Sequence, residues 1–207
     1  MPKIKVTYFD VDGGRGEPIR LALHCAGLPF EDHRFTFPEF AEVRKSTPFG
    51  QVPTVDIDGQ TLTQSTALCR YFGKQAGLYP ADDYQALLCD EVMDVIEDMT
   101  HKLVATFGLT GDALKTTREA LVNGPLTTYI QWLEARLVKQ GKKYFAGNQL
   151  SVADLKVFVT TRWLCSGQLD HIPTDLVQEL APTILAHAQQ IVNEPKIKAY
   201  YDQRASA

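Results

Sequence analysis

No stretch of this chain is apolar for the roughly 18–20 residues that a membrane-spanning helix requires, so a protein that spans a membrane by helices is excluded. The opening residues, Met1-Pro2-Lys3-Ile4-Lys5-Val6, carry neither a long apolar run nor a small-residue cleavage site, and no secretory signal is expected. There is no basic excess. Lysine and arginine number 21 against 25 acidic residues, a net charge of −4, which speaks against a broad nucleic-acid-binding surface. Cysteine is sparse: Cys25, Cys69, Cys89 and Cys165 are far apart and form no C-x-x-C pair. That argues against a disulfide framework, a zinc knuckle and a dithiol redox centre. The four read as buried free thiols in a reducing compartment, which points to the cytosol. His24, His33, His101, His171 and His187 show no ligand spacing, and no Ser/His/Asp triad can be picked out, so no metal is expected. Gly13-Gly14-Arg15-Gly16 fits neither the G-x-G-x-x-G nor the G-x-x-x-x-G-K-[ST] spacing, and nucleotide binding through those motifs is not supported.

What is present is an ordinary folded composition, 44% apolar and 22% charged over 207 residues, enough for one large or two small domains. Texture separates the two parts. Lys3 to Phe9 alternates like a strand, and Asp10 to Gly16 is a glycine-rich loop. Pro18 opens a helix that stops at Gly27. Phe30 to Phe37 reads as a second strand with Phe35 and Phe37 on one face, and Glu39 to Lys45 as a short helix. Val52 to Ile57 leads into Asp58-Gly59, the strongest short hairpin signal in the chain, and Thr61 to Thr63 returns from it. Gln64-Ser65 then opens a helix that ends near Gly77. Residues 78–83 resemble a linker in which Asp82 or Asp83 can cap the next helix. From there on every signal is helical. Leu88, Val92, Val95, Ile96, Met99, Leu103 and Phe107 form one stripe, and Leu114 to Lys139 reads as one or two helices with a bend at Gly124-Pro125. Val152 to Leu164 is a buried central helix, another runs from Leu176 to Val192, and Pro195 begins a last short one. The fold class is α+β, a βαβαββα domain over 1–77 followed by an all-helical domain over 84–207.

Few residues stand out chemically. Tyr8 ends the first strand just before the glycine-rich loop, where α/β folds tend to bind ligands, although a strand tyrosine also serves as packing. Val52-Pro53 precedes a strand, and a cis bond there, about 5–6% for any X-Pro, would leave the Val52 backbone groups free for an extended ligand. Gln64-Ser65 at a helix start offers an anion site or a plain N-cap. Ser151-Val152-Ala153-Asp154 fits the capping box. Asp90, Asp94 and Asp98 recur every four residues beside Glu91 and Glu97, a like-charge stripe that invites a partner or a cation, or simply faces water.

In order, Tyr8-Phe9 before a Gly-Arg loop, Phe49-Gly50-Gln51-Val52-Pro53, Gln64-Ser65 and Gly147-Asn148-Gln149-Leu150-Ser151-Val152-Ala153-Asp154 resemble the cytosolic glutathione S-transferases of the tyrosine type, pi class first and sigma next. The resemblance covers nearly the whole chain. It implies a thioredoxin-like N-terminal domain, a homodimer, and glutathione as co-substrate for conjugation to hydrophobic electrophiles. Tyr8, helped by Arg15, would stabilise the glutathione thiolate. Val52 before Pro53 would pair with the cysteinyl backbone, Gln64 and Ser65 would hold the γ-glutamyl carboxylate, and Arg44 with Gln51 nearby would take the glycyl carboxylate. Asp98 would reach across the dimer to the γ-glutamyl amino group, and Phe49 would insert into the partner subunit. The electrophile would lie against Phe9, Val11, Leu103, Phe107 and Thr160. Phe40 stands where these classes usually place a tryptophan that bonds the glycyl carboxylate, Arg44 stands where lysine is frequent, and the loop from Asp10 to Gly14 is longer than usual. Gly108 replaces a substrate-contacting tyrosine, and no tryptophan occupies the region that prostaglandin-isomerising relatives use. Peroxide reduction or isomerisation on the same site, and a non-catalytic carrier or crystallin-like role, are the alternatives.

Overall fold

Alternation in Ile4–Phe9 makes β1, which buries Ile4, Val6 and Tyr8 on one side and half-exposes Lys5, Thr7 and Phe9 on the other. The computed structural model, which describes residues 1–141 and 143–206, builds a four-stranded mixed sheet on this strand. β1 runs parallel to β2 (Glu31–Phe35) and antiparallel to β3 (Thr54–Ile57), which pairs antiparallel with β4 (Gln60–Leu62), in the order β2-β1-β3-β4. Between β3 and β4, Asp58 and Gly59 both take positive φ, 51° and 88°, as a two-residue hairpin turn requires.

A parallel β1–β2 pair needs a crossover, and α1 (Glu17–Ala26) supplies it, with Pro18 in the first turn and a left-handed Gly27 at the stop. After β2 come the single-turn α2 (Phe40–Val43) and two 3-10 turns, Arg44–Ser46 and Pro48–Gly50. α3 (Ser65–Ala76) ends at the left-handed Gly77 and packs beside α1. Ile19, Leu21, Leu23, Leu68 and Phe72 are buried in this layer, each contributing about 1.5–3 kcal/mol by leaving water. The N-terminal order is the thioredoxin-like βαβαββα.

All regular elements described after Tyr79 are helical: α4 (Asp83–Val104), α5 (Gly111–Leu121), α6 (Thr127–Lys139), α7 (Val152–Leu164), α8 (Leu176–Leu180), α9 (Pro182–Val192) and α10 (Pro195–Ala205). Asp82 caps α4 by accepting from Gln85 N–H. A π turn over Val122–Leu126, with Pro125 inside it, makes the bend between α5 and α6. α7 is buried from Val152 to Thr161 and packs on α4 and α9.

Three details differ from the sequence reading. The helix expected over Leu176 to Val192 breaks at Ala181, because Pro182 has no N–H to continue the ladder and instead starts α9. Phe37 lies beyond β2 and is exposed rather than sharing the buried face of Phe35. Contacts also divide the chain into Met1–Tyr79 with the segment from Pro195 onward, and Pro80–Glu194, so α10 groups with the sheet rather than with the other late helices. The physical reason is polar. Lys196 Nζ donates to the Cys25 carbonyl at 2.7 Å, and Tyr200 and Arg204 bond groups near α1 and the β1 loop.

Candidate functional site

The period of β1 sends Tyr8 to the buried side at the strand's end, and the loop from Asp10 to Gly16 folds over its ring. Arg15 N–H donates to Tyr8 Oη at 3.0 Å. That bond occupies a lone pair of the phenol oxygen and makes its O–H a better donor. The loop comes this close only because of its glycines. A Cβ at Gly14 would overlap the Tyr8 hydroxyl, and one at Gly16 would overlap the ring itself. Gly14 also holds φ +63°. On the ring's other flank the Arg20 guanidinium lies 5.7 Å from the centroid, within cation–π range.

Arg20 is 0% exposed and fully engaged. It donates to the Val11 carbonyl at 2.9 Å, the Phe9 carbonyl at 3.2 Å, Asp32 at 2.9 Å and Glu17 at 3.3 Å. Burial pushes the Glu17 carboxyl above the usual range, against the pull of Arg20.

The other glutathione-site candidates of this unit lie on the segments around β3 and α3. The Val52–Pro53 bond is cis, and Val52 stands just outside the ladder that begins at Thr54. Gln64 precedes α3 at φ 71°, ψ 98°, a conformation that costs a non-glycine residue about 1–3 kcal/mol and that concentrates at ligand clamps. Ser65, the first residue of the helix, is buried at its positive end. Arg44 is exposed, its guanidinium 5.3 Å from the Phe40 ring centroid and against the backbone of Gly50. Gln51 is exposed. Phe49, at φ 60° and followed by Gly50 at 62°, is thrust outward and 76% exposed.

Phe40 belongs to a ring cluster that the sequence reading missed. Phe9 stacks on Phe37 with centroids 4.7 Å apart and touches Phe35 at 4.8 Å and Phe40 at 5.1 Å. Phe40, the position at which the resemblance leads one to expect a donor, is thus held by packing.

In the helical unit, Asp98 and Asp94 are exposed on α4, while Glu97 pairs with Lys156 and Glu91 with Arg136. The acidic stripe is therefore partly neutralised by neighbouring helices. Phe107 is 51% exposed and meets Trp163 of α7 edge-on at 6.2 Å. Two expected electrophile contacts move to the interior. Leu103 is 0% exposed, because helical period sets it in line with Ile96 and Met99, and Thr160 faces a small cavity with Ile96, Met99 and Val157. Phe9, Val11 and Phe107 retain open surface.

Burial pushes the Cys25 thiol up to about 11 and the Cys89 thiol up to about 12, so neither is a nucleophile at neutral pH. Among the described residues no group of three His, Cys, Asp or Glu is arranged to hold a metal ion. Also missed in the sequence were Arg34 and Arg204, which grip Asp10 and Asp12 of the loop after Tyr8 from positions too far along the chain for any local pattern to mark them.

A family model described as the N-terminal domain of glutathione S-transferase matches residues 16–75, and one for the C-terminal domain matches residues 97–204. Glutathione S-transferase 3 of Caenorhabditis elegans is 31% identical over 99% of this chain and 98% of its own. Glutathione S-transferase 1 of Ascaris suum is 35% identical over 76% of this chain and 78% of its own. The solved structure of prostaglandin synthase D of Nilaparvata lugens superposes with a TM-score of 0.87 at 31% identity, covering 98% of both chains.

Proposed function

Because the chain belongs to the glutathione S-transferase family and is a glutathione transferase, which joins glutathione to hydrophobic electrophiles, we propose that Tyr8 is the group that activates the thiol. A free thiol of pKa near 8.5 is only about 3% ionised at pH 7, and lowering it by two units makes it about three-quarters ionised. Such a shift corresponds to about 2.7 kcal/mol of preference for the thiolate. The Tyr8 hydroxyl supplies it by donating to the sulfur, with the Arg15 N–H on the same oxygen and the Arg15 charge nearby. The displaced thiol proton leaves to solvent. The sulfur lone pair then forms the C–S bond at the electrophilic carbon, and either the leaving group departs with its bonding pair or, at a double bond, the π pair shifts to the adjacent atom, which takes a proton from solvent.

The remaining contacts follow the resemblance, residue by residue. Val52 pairs with the cysteinyl backbone beside Pro53. Gln64 and Ser65 take the γ-glutamyl carboxylate at the start of α3, the reading that the strained Gln64 backbone supports. Arg44 and Gln51 take the glycyl carboxylate, and Phe40 adds only ring contact, having no N–H to donate. Phe9 and Val11 are the electrophile contacts of the sheet unit, and Phe107 is that of the helical unit. The protein works as a homodimer in the cytosol, with Phe49 as the inserted ring and Asp98 of the partner subunit at the γ-glutamyl amine. The exposed left-handed Phe49 is what favours the dimer. The chemistry needs no metal, membrane or nucleic acid.

The observation that carries the assignment is the Arg15 N–H to Tyr8 Oη bond. Ultraviolet thiolate absorbance of bound glutathione, titrated in wild type and Tyr8→Phe, tests it. The wild type is expected well below 8.5, with the variant returning towards it. A wild-type thiol that titrates as it does in water overturns the assignment. A second reading is isomerisation on the same thiolate, favoured by the Trp163 indole that α7 sets against Phe107, where the local sequence has no tryptophan. An isomerase returns glutathione unconsumed, so measuring the free thiol during turnover separates the two.

A further inference from the structure

Lys196, Tyr200 and Arg204 are spaced four apart, so one stripe of α10 carries all three. Each makes a polar contact with the sheet unit. Lys196 holds the Cys25 carbonyl at the end of α1. The Tyr200 hydroxyl accepts from Arg34 at 3.3 Å and donates to Glu17 at 3.4 Å. Arg204 forks across the loop that follows Tyr8, with Nη2 on Asp10 at 2.7 Å and Nε on Asp12 at 3.2 Å. A guanidinium presents two separated donors fixed in one plane to two carboxylates, where an ammonium presents a single rotating point of charge.

From β2, Arg34 takes the same two carboxylates, Asp12 at 2.9 Å and Asp10 at 3.3 Å, and binds Asp32 at 2.6 Å. Asp32 in turn binds Arg20, whose guanidinium holds the Phe9 and Val11 carbonyls on either side of Asp10. Isolated surface ion pairs contribute little, and the Arg204 side chain is itself 38% exposed, but its two carboxylates are shared with Arg34, whose side chain is 12% exposed and which links through Asp32 to the fully buried Arg20. Burial pushes the Asp12 carboxyl up, yet its bonds to Arg204 and Arg34 hold it below the ordinary carboxylate range, so it stays charged.

The loop has need of such a hold. Gly13, Gly14 and Gly16 make its second half conformationally permissive, and the 3.0 Å bond from Arg15 N–H to Tyr8 depends on that half keeping one shape. We propose that α10 is a clasp on this loop, with Arg204 the positioning residue whose fork on Asp10 and Asp12 keeps the Arg15 N–H on the Tyr8 hydroxyl and so sets how far the bound glutathione thiol is activated. The proposal rests on Tyr8 being the thiol's donor.

The test titrates the thiolate absorbance of bound glutathione in wild type, Arg204→Gln, Arg204→Lys and Asp12→Asn. Lys198→Ala serves as the control, since it removes an exposed pair with Asp202 on the same helix. Arg204→Gln is expected to raise the bound-thiol pKa by about half a unit to one unit, that is about three- to tenfold less thiolate below the pKa. kcat/KM should fall by the same factor there and recover at alkaline pH, where the thiol ionises unaided. Arg204→Lys should fall between, having the charge without the fork. Asp12→Asn removes the charge from one arm of the fork on the loop side, leaving Asp10, and is expected to give a smaller rise in the same direction, so it carries the test if Arg204→Gln does not fold. A wild-type pKa in both Arg204→Gln and Asp12→Asn, or an equal rise in Lys198→Ala, overturns the clasp. An unshifted thiol in the wild type overturns instead the assignment of Tyr8 on which the clasp rests.

Discussion

Asp154, buried, and Asp32, half-buried, are both carboxylates that anchor several donors, one in each unit, and their surroundings are built to opposite ends. Asp154 is 0% exposed and accepts from Ser151 N–H at 2.8 Å, Ser151 Oγ at 2.6 Å, Phe145 N–H at 3.0 Å and His187 Nε2 at 2.9 Å. Three of those donors lie within ten residues, and the set closes on itself around the start of α7. Among the described residues the Asp32 carboxylate accepts from Arg20 and Arg34, and each arginine passes on to further groups until the chain of contacts reaches the Tyr8 ring and open water at Asp10 and Arg204. A closed set of neutral and ring donors fixes a fold. An open set of arginine forks fixes a loop, and leaves its far end where substrate can meet it.

The sharpest way to break this comparison is to remove both kinds of anchor and compare stability with activity. Asp154→Ala strips the α7 cap and leaves buried donors unpaired, and about 3–5 kcal/mol of stability should be lost in chemical denaturation. Any activity lost should follow the unfolded fraction, with the glutathione thiol pKa unmoved in the folded molecules. Gly16→Ala should do the reverse. Gly16 has an ordinary helical φ of −79°, so alanine is not strained by its own backbone there; what its Cβ meets is the base of the Tyr8 side chain, at Cβ and the near edge of the ring. Displacing that ring is expected to cost about 10–100-fold in kcat/KM, or about 1.4–2.7 kcal/mol, while the fold survives. Equal losses of stability in the two variants would erase the distinction between the networks.

How much of this was legible in the residues divides along the same line. The heart of the closed network was readable, because a capping box is local: Ser151 and Asp154 stand three apart and announce their bonds, while His187, 33 residues on, gave no such sign. The βαβαββα order, the Asp58-Gly59 turn and the Gly27 and Gly77 stops were readable for the same reason, each being a property of a few neighbouring residues. Tyr8 at a strand end and Gln64-Ser65 at a helix start were likewise visible as candidates. The open network was not. Arg204 meets Asp10 across 194 positions of chain, and no local pattern marks α10 as belonging with the sheet. The burial of Leu103 was hidden for a related reason: a stripe of apolar residues shows which side of a helix is buried, but not which of its members is left at the rim.

Phe40 sharpens the comparison at smaller scale, since it is a packed ring at a position where a donor would be useful. Phe40→Trp restores an N–H within the same ring cluster against Phe9 and Phe35. A net hydrogen bond is worth about 0.5–1.5 kcal/mol, so glutathione should bind about two- to tenfold tighter by calorimetry, with the thiol pKa unchanged. A change in thiol pKa would show that the phenylalanine cluster, and not the arginine network alone, governs the geometry of Tyr8.

The smallest effect lies in the pH dependence of the open network. Asp12 titrates below its ordinary 3.8 in the folded chain, since the bonds from Arg204 and Arg34 outweigh the upward push of burial. A carboxylate lowered on folding adds stability that is fully present above its unfolded pKa and disappears as pH falls through its folded one. The Asp12 side chain is 35% exposed, so solvent screens the gain, and Asp12→Asn should cost less than about 1 kcal/mol at neutral pH. Denaturation midpoints of wild type and Asp12→Asn should therefore differ slightly at neutral pH and converge once the pH is below the folded pKa of Asp12. Glu17, raised by burial, has the opposite sign: its contribution is complete below its unfolded pKa and is lost as pH rises through the folded one. The open network is thus opposed within itself at the two ends of the acid range, and a gap between the two midpoints that widens on acidification would mean that Arg204 and Arg34 do not hold Asp12 ionised at all.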